Sequence, residues 1–159
     1  MNVDLTHTEN NDDFMYEVCV DLFVPAPTNN RDYYWGFLAK PEEPIKETNW
    51  DGLQFYTRWT SAGWATNAIT MSDSWIATSN PSIPDTNTSG AKSDFVNHDT
   101  TNDYTMDTNK TKVQCAGAST DCTFTGCAIR KFKTEDAQDW QVNPGYEQKF
   151  QAVTYFTTY

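Results

Sequence analysis

The sequence predicts an all-β protein of many short strands, arranged as a sandwich or a barrel. Three observations carry this. Threonine occurs 23 times and aromatic residues make up 14% of the 159 residues, whereas leucine occurs only four times. Such a chain is rich in side chains that suit a pleated, half-buried surface and poor in strong helix formers. Asn, Asp, Ser, Gly and Pro recur every few residues, as the turns between short strands require. The clearest segments alternate apolar and polar residues with period two.

The elements follow in order. Residues 1–13 are polar and read as a solvated N-terminal arm before a single domain spanning 14–159. Residues 14–24 (FMYEVCVDLFV) put Phe14, Tyr16, Val18, Val20 and Leu22 on one face and Met15, Glu17, Cys19, Asp21 and Phe23 on the other, a half-buried strand. Pro25-Ala26-Pro27 ends it. A second strand, 33–39 (YYWGFLA), stops at Lys40-Pro41-Glu42-Glu43-Pro44. A third, 53–60 (LQFYTRWT), turns at Ser61-Ala62-Gly63. Residues 64–70 and 74–78 read as a pair of short strands separated by Met71-Ser72-Asp73. Residues 79–93 form a Pro/Asn/Thr/Ser loop, and the acidic stretch 94–109 has room for one short strand near Phe95-Val96. Strands are expected again at 111–115 and 123–132. Residues 134–140 (TEDAQDW) are the best helical or turn segment, with Thr134 as N-cap and acids in the first turn. Asn143-Pro144-Gly145 turns the chain into a closing strand over 149–158. This makes about nine strands with no internal repeat. The chain stops at an apparent strand, which suggests a piece of a longer polypeptide.

Charge narrows the function. With 11 basic and 22 acidic side chains the formal charge is −11, which argues against nucleic acid, since phosphate binding needs clustered Lys and Arg. It argues equally against an anionic membrane surface. No apolar run approaches the roughly 20 residues of a membrane span, and no secretory signal opens the chain. Four cysteines, Cys19, Cys115, Cys122 and Cys127, and two sequons, at Asn87 and Asn109, favour an extracellular, cell-surface or lumenal protein with disulfides and N-glycans. Three complete pairings of the cysteines stand open. Zinc is disfavoured, because there is no Cys-x2-Cys pair and histidine occurs twice, at His7 and His98. Asp94, Asp99, Asp103 and Asp107 lack the alternate spacing and central Gly of a calcium loop, so no metal site is expected. An enzyme is hard to build. Gly-x-Ser-x-Gly, phosphate-loop and His-Glu-x-x-His motifs are absent, and no catalytic residue is assigned.

Two stretches together resemble the DOMON family. One is residues 63–77, from Gly63-Trp64 through Met71-Ser72-Asp73-Ser74-Trp75-Ile76-Ala77. The other is residues 127–140, with Arg130, Thr134, Asp136, Asp139 and Trp140. Glu135 departs from the pattern, standing where Gly is common. The resemblance covers roughly residue 14 to the end. It implies an immunoglobulin-like β-sandwich that binds haem or sugars, mostly outside the cell, as one module of a larger protein or complex.

Under that resemblance Met71 stands where haem-binding members place an axial Met, a soft ligand suited to haem iron. The His expected near the closing strand is missing, which leaves His98 as the other histidine within reach, with Tyr155 or Tyr159 as a different kind of ligand. No cofactor is required, and haem b is the one the resemblance allows. Arg130, Thr134, Asp136 and Asp139 are assigned to fixing a turn through charge-assisted hydrogen bonds. The six tryptophans open a second path. Three or four are expected in the core of a Leu-poor protein. Trp50, between Asn49 and Asp51, and Trp140, beside Asp139, are the expected sugar-stacking residues. The sequence therefore predicts a non-catalytic module that binds a carbohydrate or haem, or assembles with other subunits. An electron-transfer domain using Met71 and a filament or coat subunit are the alternatives.

Overall fold

In a computed structural model of the protein, the described residues are 3–10, 13–41, 49–64, 69–77, 97–98, 103–117, 121–134, 141 and 148–158. They form strands and turns, with no helix among them. The strands are β1 (Val3–Asn10), β2 (Asp13–Val24), β3 (Arg31–Pro41), β4 (Asn49–Thr60), β5 (Gly63–Trp64), β6 (Thr70–Ala77), β7 (Asn97–His98), β8 (Thr105–Met106), β9 (Lys112–Cys115), β10 (Cys122–Lys131) and β11 (Gln148–Thr158). All pair antiparallel, in two sheets. The first runs β1-β2-β10-β8, with β9 also on β10. The second runs β11-β3-β4-β6-β7, with β5 on β4.

The alternation read in β2 is what builds the first sheet's inner face. Tyr16, Val18, Val20, Leu22 and Val24 are buried there, while Phe23 is 60% exposed on the other side. Their register partners on β10, namely Arg130, Ala128, Gly126, Phe124 and Cys122, extend the same face. The second sheet answers with Tyr33, Trp35 and Phe37 from β3 and Leu53 and Phe55 from β4, all buried in one shared cluster with the first. Two contacts fix the distance between the sheets. The Trp35 indole donates to the Val20 carbonyl at 3.0 Å, which satisfies its polar edge inside the core. Gly126 leaves the gap that the Phe55 ring fills, since a Cβ there would stand 2.5 Å from that ring.

Both disulfides join residues that face each other across a ladder: Cys19–Cys127 between β2 and β10, and Cys115–Cys122 between β9 and β10, with Cα separations of 4.2 and 4.1 Å. Among the three pairings open in the sequence, this is the one realised. Cys127 explains its own partner. Its N–H donates to the Thr111 hydroxyl and its carbonyl accepts the Asp107 N–H, so both groups point away from β2. A facing pair that exchanges no hydrogen bonds is the closer kind, and Cys19 lies within bridging distance.

Several expectations change. Residues 3–10, expected to belong to a solvated arm, are a strand paired with β2 from Val3↔Val20 to Asn10↔Asp13. Their polar composition hid them, because an edge strand can be held by main-chain bonds alone. Met71-Ser72-Asp73, expected as a break between strands, lies within the single strand β6. Asp73 looked like a turn residue, yet it is buried and its carboxylate accepts the Asp103 N–H at 3.1 Å. The acidic stretch holds β7 and β8; Phe95-Val96, expected as a short strand, lies outside the described residues.

Between β8 and β9 the chain steps out of the ladder at 107–111. The Asp107 carboxylate accepts the N–H groups of Asn109 at 2.9 Å and Lys110 at 3.3 Å. These bonds, the one from Asn109 first, hold its pKa below the ordinary 3.8. A lowered folded-state pKa means that the contribution to the turn is complete above about pH 4 and is lost as pH falls through the lower folded value. We expect amide protection at Asn109 and Lys110, corrected for intrinsic exchange rates, to be level from neutral pH to about 4 and to fall below it. In Asp107→Asn that acid step should vanish. A wild-type profile that stays level to about pH 2 would exclude this role.

Candidate functional site

The register of the second sheet sets its core-side residues in rows that cross the strands. The outermost row runs Thr158–Arg31–Trp59–Trp64 across β11, β3, β4 and β5. In the next row Phe156, Tyr33 and Thr57 stand opposite one another. Farther in come Thr154–Trp35–Phe55–Met71 and then Ala152–Phe37–Leu53–Asp73. The inner rows are closed core on β3 and β4. The first two are not fully covered: Arg31, Trp59 and Trp64 are half-buried, and Phe156 is 56% exposed although it faces the core side. The end of the second sheet around β5 therefore presents partly exposed aromatic residues.

Local sequence builds this end. Ser61-Ala62 turns β4 into β5, with Thr60 facing Gly63. Gly63 has φ +105°, a left-handed conformation that favours glycine. The Ser61 N–H donates to the Asn30 side chain at 2.9 Å, which ties this turn to the entry of β3. The rings then lock together. Trp64 packs edge-on to Phe124 of the other sheet with centroids 4.5 Å apart, and 5.6 Å from Tyr33. Tyr33 lies 6.3 Å from Phe156, and the Arg31 guanidinium sits 4.5 Å over the Phe156 ring.

Polar atoms are left over in this setting. The indole N–H groups of Trp59 and Trp64, the Nε of Arg31 and the hydroxyl of Thr57 are buried atoms without a hydrogen-bond partner. Buried polar groups are nearly always paired, and each unpaired one costs on the order of 1–3 kcal/mol. Four of them stand in two adjacent rows of the second sheet.

Among the sequence-predicted residues, those that are described lie outside the two outermost rows. Met71 is half-buried on β6, packed against the core, with Phe55 as its register partner. His98 stands opposite Ser74, three positions along β6 from Met71. Strand positions an odd number apart lie on opposite faces. Trp50 belongs to β4 and pairs with Ile76 through the main chain. Trp140, Asp136, Asp139, Asn87 and Tyr159 lie outside the described residues. Asn109 is exposed on the 107–111 turn. Thr134 pairs with Gln141: its N–H donates to the Gln141 side-chain oxygen and its hydroxyl accepts from the Gln141 amide, both at 2.9 Å.

Arg130 is buried to 1% and donates to the hydroxyls of Tyr104 at 3.1 Å and Tyr16 at 3.3 Å, with its guanidinium 4.9 Å over the Tyr104 ring. Those hydroxyls lie 2.8 Å apart, so Arg130 joins β2, β10 and the segment before β8 into one network. On the outer face of the second sheet, Arg58 grips the buried Asp32 with two hydrogen bonds at 2.7 and 3.1 Å, and Tyr56 donates to the same carboxylate. Burial first, and then the Asp32 charge, raises the Tyr56 pKa. Both networks tie strands together.

Sequence reasoning missed Trp59, Trp64 and Arg31. The signal for the first two was the spacing of two tryptophans around Ser61-Ala62-Gly63, which places them face to face if that turn closes a hairpin. No protein-family model matches this chain, and no curated protein or solved structure matches it either.

Proposed function

We propose that this chain is a non-catalytic, extracellular or cell-surface module of the immunoglobulin-like, DOMON-like kind that binds a carbohydrate within a larger protein or complex. The observation that carries the reading is the open aromatic end with its unpartnered polar atoms. Flat rings at the surface offer stacking area, and N–H groups and a hydroxyl offer hydrogen bonds, the combination a sugar ring needs. The two disulfides support an oxidising compartment. Exposed Asn109 supports glycosylation: secretion from a eukaryotic host should add a glycosidase-sensitive mass that Asn109→Gln removes, and an unmodified wild type would refute it.

The test is a fluorescence titration against a panel of neutral and acidic oligosaccharides. We expect at least one class to shift or quench tryptophan emission, and Trp64→Ala to weaken its binding by at least about ten-fold, the size of one lost stacking or hydrogen-bonding contact. Adding haemin should leave the visible spectrum without a sharp six-coordinate Soret band. Silence across the glycan panel, or a Soret band lost in Met71→Leu, would replace the sugar reading, in the second case by the electron-transfer alternative.

A further inference from the structure

Resting on the proposal of a carbohydrate ligand, we infer that the site takes an acidic sugar, one whose carboxylate is received by Arg31, Trp59 and Trp64. The argument begins with the chemistry of what is left unpaired. Arg31 Nε, Trp59 Nε1 and Trp64 Nε1 are N–H donors, and none of them can accept. A neutral sugar hydroxyl both donates and accepts, so a site for hydroxyls alone presents both kinds of group. A cluster of three donors, one on a permanent cation, is matched by a group that only accepts. A carboxylate is such a group, with two oxygens that take several hydrogen bonds at once. The three donors stand on facing residues of three consecutive strands, Arg31 opposite Trp59 and Trp59 opposite Trp64. The acid closest in sequence, Asp32, is bound by Arg58 and Tyr56 on the opposite face of the sheet.

Position supports the same assignment. Thr57, fully buried one row deeper, keeps an unpartnered hydroxyl that can serve a sugar oxygen as donor or acceptor. The ring over the Arg31 guanidinium is Phe156, the most exposed member of the cluster, on a strand that pairs along β3. Exposed side chains change rotamer within nanoseconds. The overall charge of −11 repels an anion at long range, but at about 0.1 M salt that field is screened beyond roughly 10 Å, whereas contact with the guanidinium is not.

The experiment compares two ligands that differ only in the carboxylate: a uronic-acid oligosaccharide and its carboxyl-reduced neutral counterpart. Binding to the full chain is followed by calorimetry and by tryptophan fluorescence at about 0.15 M salt. The acid form should bind at least about ten-fold more tightly. Trp64→Phe and Trp59→Phe keep a ring and lose the N–H, and each should cut affinity for the acid form by about ten-fold while leaving the neutral form within about two-fold. Arg31→Gln should abolish the preference. Unchanged near-ultraviolet circular dichroism confirms that each variant folds. Equal binding of the two ligands would overturn the carboxylate assignment and leave the carbohydrate reading standing. Binding of neither, in a protein whose spectrum shows it folded, would overturn both.

Discussion

Replacing Cys19 and Cys127 together by alanine will lower the unfolding free energy by about 5 kcal/mol, whereas the same change at Cys115 and Cys122 will lower it by about 2 kcal/mol. The two bridges are alike in local setting, each joining facing residues of neighbouring strands. They differ in the chain they enclose. Cys19 and Cys127 are 108 residues apart and Cys115 and Cys122 are 7 apart. A cross-link stabilises chiefly by removing conformations from the unfolded chain, and the longer loop loses more. Against a typical total of about 5–15 kcal/mol, the first loss brings the protein close to the point of unfolding. Urea denaturation of the two double variants measures the difference. Equal midpoints at equal slope would show that loop entropy does not separate the bridges.

The second large effect is expected at Gly126, where alanine should cost about 2–3 kcal/mol, toward the upper end for overpacking a core. The added Cβ would lie 2.5, 2.6 and 2.7 Å from three atoms of the Phe55 ring. That ring is fully buried, with Trp35 beside it at 5.7 Å between centroids, so it has little freedom to retreat. If the clash is the cause, it depends on the ring. In a Phe55→Leu background, itself destabilised by the smaller side chain, Gly126→Ala should cost less than about 1 kcal/mol, a coupling readily seen in a double-mutant cycle. Strict additivity of the two changes would place the cost in the backbone of β10 instead.

What was legible in the sequence was set by local pattern. Residues 14–24 read as a strand because strict alternation has one good explanation, and β2 occupies Asp13–Val24. The closing strand expected at 149–158 and the strand expected at 123–132 match β11 and β10 within a residue or so. β1 was missed because its residues are mostly polar and only its pairing with β2 makes it a strand. Asp73 was misread because a buried carboxylate that accepts a main-chain N–H and a turn Asp look the same in one dimension. The site was less legible still. It consists of a row across strands, and a row exists only once register is fixed: Arg31 meets Trp59, 28 residues on, through the β3–β4 ladder. Six tryptophans announced a surplus of rings. They did not announce which pair would stand with N–H groups unmet, because that depends on what the opposite sheet fails to cover.

The pairing of β2 with β10 has a consequence for the order in which the protein assembles. Its partners, from Val24↔Cys122 to Met15↔Lys131, are roughly a hundred residues apart. The β3–β4, β4–β5 and β9–β10 pairs are local by comparison. Local pairs close in microseconds, and distant ones wait for chain entropy to be overcome. During synthesis at about 5–20 residues per second, β2 emerges roughly 5–20 seconds ahead of the strand it will lie against. In that interval its apolar face and the Cys19 thiol have no final partner. β1, joined to β2 at once through Asn10↔Asp13, then acts as an early escort. It occupies one edge of the waiting strand and leaves the other free for β10 alone.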